Sequence, residues 1–552
     1  MRGLMMDEPL SISALIEHAA QYHGDTPIVA RTIEGALHRY NYREAHARTR
    51  RLAKALGRLG VQPGDRIGTL AWNTHRHFEM FYGVSGTGAV LHTVNPRLFP
   101  DQLVYIVNHA EDSYLFVDAL TLPIAEQIAP RLATVKGYVL MTDRALMPTG
   151  ARLDPLMCYE ELLDAEDDDY AWPVLDERTA STICYTSGTT GNPKGVVYSH
   201  RSAVLVTMLL SNVANVGARN GSREVLMPMA PMFHGNAWQF PYIAPMNGFP
   251  LVLPGRNYEP EQLYELLEGE RVTVTCGVPT FWLILTDWLD RTGKKFSSLR
   301  LTLSSGSAPP RALVEKLERD YGVETAQGWG MTEILGGSNV LLRPGSAGLP
   351  FEERTDRRLK SGRTLWGNRY RLVDDEERPV PHDGISAGHL RVKAPWAASA
   401  YWKGEGGSAL DEEGWLKTGD IATIDPDGHI VLTDRSKDVI KSGGEWISSI
   451  ELENVALGHP DVLQAAVIGV PHARWQERPL LVVVPKAGLR LDALELLGFM
   501  RGKVASWWVP DDVAVVDQMP MTGTGKIHKA TLREQFKHHV LPERPAARQA
   551  SA

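Results

Sequence analysis

The apolar positions of this chain follow two rhythms. At Leu10-Ser-Ile-Ser-Ala-Leu-Ile-Glu-His-Ala-Ala-Gln they recur at helical spacing, and again from Tyr42 to Leu59 beside a face rich in Arg and Lys. Pro63-Gly-Asp makes a turn into the strand-like Arg66-Ile-Gly-Thr-Leu-Ala. The pattern then alternates: a helix near 76–84, a strand near 88–94, a helix near 100–109, and a strand at Tyr114-Leu-Phe-Val-Asp118. Such alternation predicts a largely parallel sheet covered by helices. The basic face of 42–59 reads as solvated surface rather than a nucleic-acid contact. From Ser449 a tighter series begins. It has a helix, strands at Ala465-Ala-Val-Ile-Gly-Val and Leu480-Leu-Val-Val-Val, a helix near 491–504, and a strand at Ala514-Val-Val. That is the pattern of a small α+β domain.

A chain of 552 residues is too long for one core, so two or more domains are expected. Its 43% hydrophobic and 22% charged content are those of an ordinary globular protein. A formal net charge of −8 gives no general attraction to nucleic acid or an anionic membrane. Cys158, Cys184 and Cys276 are widely spaced, form no metal pattern and fit a reducing cytoplasm. No apolar run reaches signal-peptide or membrane-span length, so a cytoplasmic protein is expected.

The chemistry centres on Tyr185-Thr-Ser-Gly-Thr-Thr-Gly-Asn-Pro-Lys-Gly-Val196. A strand precedes it, and a strand end leading into a helix follows. Glycines let backbone N–H groups approach a ligand closely, hydroxyls add donors, and Lys194 adds a compact positive charge. This is a polyphosphate-gripping loop. It is not a Walker A loop, because Pro193 stands where that motif needs its second glycine and Gly195 follows the lysine. Gly523-Thr-Gly-Lys526 fails too, with Pro520 in the first glycine's place.

Other stretches carry weaker signals by themselves. His234 and Trp238 lie in Met227-Pro-Met-Ala-Pro-Met-Phe-His-Gly-Asn-Ala-Trp238, where a packed core His and Trp are the plain reading. Leu301-Thr-Leu-Ser-Ser-Gly-Ser-Ala-Pro-Pro310 is a strand ending in a tight turn, the place where open α/β sheets hold ligands. Gln327-Gly-Trp-Gly-Met-Thr-Glu333 sets an aromatic face between two glycines. Gly384-Ile-Ser-Ala-Gly388 matches a nucleophile elbow in letters only, since strand-like Leu390-Arg-Val follows instead of a helix; a hairpin loop is expected.

Thr186-Ser-Gly-Thr-Thr-Gly-Asn-Pro-Lys-Gly195 resembles the signature loop of the adenylate-forming superfamily of acyl-CoA synthetases, peptide-synthetase adenylation domains and luciferases. The likeness runs from about residue 10 to 530. It implies a large N-terminal domain of mixed sheets covered by helices (1–435) with ATP and acyl pockets. A small mobile α+β C-terminal domain (436–552) would carry the catalytic lysine. By the same resemblance Thr186, Ser187, Gly188, Thr189, Thr190, Gly191 and Lys194 would grip the phosphates of ATP. Gly306, Ser307, Ala308 and Pro309 would contact adenine, with Gly328, Trp329, Gly330, Met331 and Thr332 beside them. The family commonly has Tyr at the place of Trp329. Glu333 and Thr186 would stand near Mg²⁺, and Asp420 of Trp415-Leu-Lys-Thr-Gly-Asp420 would take the ribose hydroxyls.

The resemblance also assigns the acyl side. His234 would lie near the reacting carboxylate, and Trp238 with Gly306, Gly330 and Met331 would line the acyl pocket. Arg435 would contact the nucleotide and Lys437 would be the hinge. Lys526 would stabilise the adenylation transition state. Lys441, Gly443 and Gly444 would serve the second half-reaction with coenzyme A. Residues 351–400 depart most from the family pattern, with His389 where a Glu is customary. Ala394-Pro-Trp-Ala-Ala-Ser-Ala-Tyr-Trp-Lys and Ala505-Ser-Trp-Trp-Val-Pro-Asp-Asp-Val resemble short- to medium-chain fatty acyl-CoA synthetases and the ligases for 3-methylmercaptopropionate. The expected activity is an AMP-forming acyl-CoA ligase for a short or medium aliphatic acid, with that thioether acid a candidate. An adenylation or luciferase-like enzyme that keeps its acyl adenylate is the alternative. A homodimer is the family-level expectation.

Overall fold

Local chemistry sets the first helices. Helix Tyr42–Arg58 starts at Asn41, whose side chain accepts from Glu44 N–H while the Glu44 carboxylate accepts from Asn41 N–H. A computed structural model describes every residue except 2, 187–191, 214–223, 257, 340–347, 444, 523–525 and 543–552. Among the described residues the strands form four sheets.

The first sheet orders its strands as Leu156–Cys158, Tyr138–Leu140, Asp112–Val117, Arg66–Leu70, Val90–Val94, Ala180–Tyr185 and Gly195–Ser199. Neighbours are parallel except the last pair, which brackets the phosphate loop. The second sheet has a parallel centre, from Glu324–Trp329 through Leu301–Ser304, Val274–Gly277, Leu226–Pro228 and Leu251–Leu253 to Pro27–Arg31. Its two ends are antiparallel. Strands buried on both faces need near-continuous apolar runs, and Asp112–Val117 and Leu301–Ser304 are buried throughout. Helices Ser13–Tyr22, Tyr42–Arg58, His75–Gly83 and Phe240–Asn247 pack into the core these sheets share.

Residues 369–435 form an antiparallel sheet that ends at Ile430–Arg435. Another sheet starts at Ile440–Ser442 and includes the long antiparallel pair Val462–His472 and Gln476–Pro485. Helices Ser449–Ala456 and Ala493–Met500 cover one side of that pair, and Lys529–Gln535 the other. The architecture is α/β, with a large N-terminal part of mixed sheets and a small α+β C-terminal part. No helix among the described residues is long and apolar enough to cross a membrane. All three cysteines are buried and unpaired.

Two expectations change. The basic face of Tyr42–Arg58 is not simply solvated: Arg48 pairs with buried Glu79 and with Glu160, and Lys54 and Arg58 pair with Asp167 and Glu166. Gly384–Gly388 joins two strands that both pair with Arg369–Val373, so it is a crossing connection rather than a hairpin. Its Ser386 hydroxyl donates to Asp383 on an exposed loop.

Candidate active site

The phosphate loop is clasped at its base. Thr186 N–H donates to Lys194 O at 2.9 Å, and Lys194 N–H donates to Thr186 Oγ1 at 3.1 Å. Ser187, Gly188, Thr189, Thr190 and Gly191 lie outside the described residues. The Lys194 ammonium sits 4.7 Å from the centre of the Tyr401 ring. Thr186 and Lys194 open onto a cavity of about 500 Å³, at the carboxyl ends of the strands as open α/β sheets favour.

His234, Trp238, Met331, Thr332 and Glu333 face this cavity with them. Residues 235–239 form a left-handed turn, with φ of 52° at Gly235, 53° at Asn236, 49° at Ala237, 53° at Trp238 and 68° at Gln239. Residues with a Cβ resist that conformation, so it must be held from outside. Asn236 supplies the hold: its amide donates to Thr182 Oγ1 at 3.2 Å and accepts from Cys184 Sγ at 3.5 Å. The turn delivers Trp238 to the apolar side of the cavity, whose wall also includes Leu210, Ile243, Val278, Leu303, Ala326 and Leu335. Burial pushes His234 down to about 3, and the nearby Lys526 charge adds to the shift. His234 is therefore a neutral hydrogen-bonding group at physiological pH.

A second cavity of about 420 Å³ shares Gly306, Gly328, Trp329, Gly330, Arg435, Lys437 and Lys526 with the first, and adds Ser307, Ala308 and Asp420. Trp329 Nε1–H donates to Asp420 Oδ2 at 2.9 Å, and Arg435 Nε pairs with Asp420 Oδ1 at 2.8 Å. Asp420 is 2% exposed. Burial raises its pKa, and the Arg435 charge and the indole donor oppose that. Gly306 has φ +92°, and a Cβ there would lie 2.8 Å from Lys526 Cε. Only glycine accepts both the backbone angle and the approach of the lysine. Burial, helped by Arg435, lowers Lys526 to about 8, with Asp420 opposing.

Glu333 is 7% exposed, and its Oε1 accepts from the Tyr401 hydroxyl at 2.7 Å. Among the described residues no cluster of three or more His, Cys, Asp or Glu could hold a metal. Mg²⁺ is bound through one or two carboxylates together with substrate phosphates and water. Glu333 and the Thr186 hydroxyl are the donors on offer beside the phosphate loop.

Some expected residues are not brought together. Pro309 is buried and lines neither cavity. Lys441 is exposed on Ile440–Ser442, and Gly443 packs under Trp475; both lie outside the two cavities. Gly444 lies outside the described residues. The sequence motifs gave no role to Tyr401, nor to Leu210, Ile243, Val278, Leu303, Ala326 and Leu335 of the apolar wall. Leu303 and Ala326 sit on strands already read as neighbours of the site, but Tyr401 carries no local signal.

The AMP-binding enzyme pattern matches residues 16–402, and the pattern of the AMP-binding enzyme C-terminal domain matches 451–526. The chain belongs to the AMP-binding enzyme family. Along almost its whole length this AMP-binding enzyme is similar to named CoA ligases, and it is an enzyme of the acid–thiol ligase class. It is 48% identical over 97% of its length, and 99% of the relative, to 3-methylmercaptopropionyl-CoA ligase of Ruegeria lacuscaerulensis. It is 43% identical to medium-chain-fatty-acid–CoA ligase of Ectopseudomonas oleovorans, over 98% of both chains. The anthranilate CoA ligase AuaEII, solved with anthranoyl-AMP, superposes with a TM-score of 0.85 at 26% identity, covering 96% of this chain and 98% of that one.

Proposed function

We propose that this AMP-binding enzyme activates a short- or medium-chain aliphatic acid as its coenzyme A thioester, with 3-methylmercaptopropionate the foremost candidate. The observation that carries the reading is a pair of adjoining cavities joined at Lys526, one with Lys194, Glu333 and an apolar wall capped by Trp238, the other with Asp420. A thioether sulfur suits that wall, because sulfur packs well against aromatic ring edges and Met331 is itself a thioether.

In the first step a carboxylate oxygen attacks the α-phosphorus of ATP and pyrophosphate leaves. Negative charge grows on the phosphate oxygens, and Lys526 and Lys194 answer it with ammonium groups. Mg²⁺ bound near Glu333 would neutralise phosphate charge. Trp329 holds Asp420 toward the ribose, and neutral His234 orients the substrate carboxylate without adding charge. In the second step the C-terminal domain (436–552) turns about Lys437, withdrawing Lys526 and bringing Lys441, Gly443 and Gly444 to the acyl adenylate. The coenzyme A thiolate then attacks the acyl carbon and AMP departs. A cytoplasmic homodimer belongs to the same proposal.

The test is product analysis with ATP, Mg²⁺ and a panel of acids, with and without coenzyme A. AMP and acyl-CoA appearing together, fastest with 3-methylmercaptopropionate or acids of about four to eight carbons, are expected. Pyrophosphate exchange with no acyl-CoA would move the protein to the adenylation or luciferase-like class. ADP as product would overturn the reading, because the proposed attack is on the α-phosphorus and releases pyrophosphate.

A further inference from the structure

The segment 398–406 runs as a strap beside Glu333 and Lys194, and its attachments are specific. Ala398 N–H donates to Glu333 O at 2.7 Å, the Tyr401 hydroxyl donates to Glu333 Oε1 at 2.7 Å, and the Tyr401 ring carries the Lys194 ammonium on its face. Gly406, at φ +78°, also lies close against Lys194: a Cβ there would collide with Lys194 Cε. Trp402 anchors the strap by donating its indole N–H to His109 O at 3.1 Å. One side chain therefore touches the two groups that the proposed chemistry needs for phosphate and metal.

We propose that Tyr401 is a positioning residue shared by the metal and the phosphates: its hydroxyl orients the Glu333 carboxylate, and its ring holds Lys194 until the nucleotide arrives. This rests on the ligase reading. With the hydroxyl donating to Oε1, the second Glu333 oxygen is left to a cation. An ammonium over a ring face keeps its charge and is weakly enough held to transfer to a phosphate. The strap thus couples the two sites.

Two substitutions separate the functions. Tyr401→Phe removes the hydroxyl and keeps the ring; Tyr401→Leu removes both. Mn²⁺ affinity for the complex with a non-hydrolysable ATP analogue is read by electron paramagnetic resonance, and affinity for the analogue by calorimetry at saturating metal. Tyr401→Phe is expected to weaken Mn²⁺ about tenfold while analogue affinity stays within twofold. Tyr401→Leu is expected to weaken Mn²⁺ equally and the analogue about fivefold or more. Restoring neither effect selectively, with both variants losing both affinities alike, would show a packing role and overturn the proposal. Unchanged Mn²⁺ affinity in Tyr401→Phe overturns it directly. Wild-type protein that binds no analogue would instead sink the ligase reading beneath it.

Discussion

At the scale of single residues, the site depends on one lysine arriving at one glycine. Lys526→Ala is expected to slow acyl-adenylate formation by about 10²–10³-fold, the usual cost of removing one charge-stabilising donor, while leaving thioester formation from a supplied acyl adenylate near wild type. Equal loss in both assays would reassign the lysine. Because Lys526 sits at about 8 in the free protein, it is charged below that pH and loses its proton above it. For the adenylation step, kcat/KM for ATP should therefore fall on the alkaline side with a midpoint near pH 8. The midpoint in kcat should lie higher, since bound phosphates hold the proton on. A flat profile to pH 9.5 would remove Lys526 from the role. Lys526, Glu333 and Asp420 were legible in the sequence because each ends a short, specific motif. Tyr401 was not, because its meaning comes from Lys194 and Glu333 reaching it from two distant segments.

At the scale of elements, period read well and electrostatics read poorly. Tyr42–Arg58 begins at its Asn41 cap and ends within a residue of the expected point. Its Arg48, however, could not be paired from sequence. Its partners Glu79 and Glu160 lie far along the chain, and Glu79 is fully buried and also accepts from the Tyr159 hydroxyl at 2.7 Å. Removing one partner of a buried pair leaves an uncompensated charge, at about 3–5 kcal/mol. Arg48→Ala should accordingly lower the thermal midpoint clearly, with KM for ATP unchanged in the folded fraction; an unshifted midpoint would mean that water takes the arginine's place. The loop 384–388 was read correctly as no nucleophile elbow, but its strands' shared partner Arg369–Val373 is a long-range pairing that local pattern does not encode.

At the scale of the molecule, Lys526 lines the cavities while Lys441 is exposed outside them, as the proposed first half-reaction requires. Lys441→Ala is therefore expected to keep pyrophosphate exchange within about twofold and to lose acyl-CoA formation; loss of exchange would contradict the proposed division of labour. The burial of Cys158, Cys184 and Cys276 has a separate consequence. Burial also raises all three thiol pKa values, and the thiolate is the reactive form. An enzyme proposed to handle a free thiol thus offers that thiol, or its disulfide, no partner for exchange. Ellman's reagent should find no fast-reacting group in the native protein and all three after denaturation. Oxidised coenzyme A should leave no mixed disulfide on the fold, so oxidation of the pool would withhold the thiol substrate without modifying the catalyst.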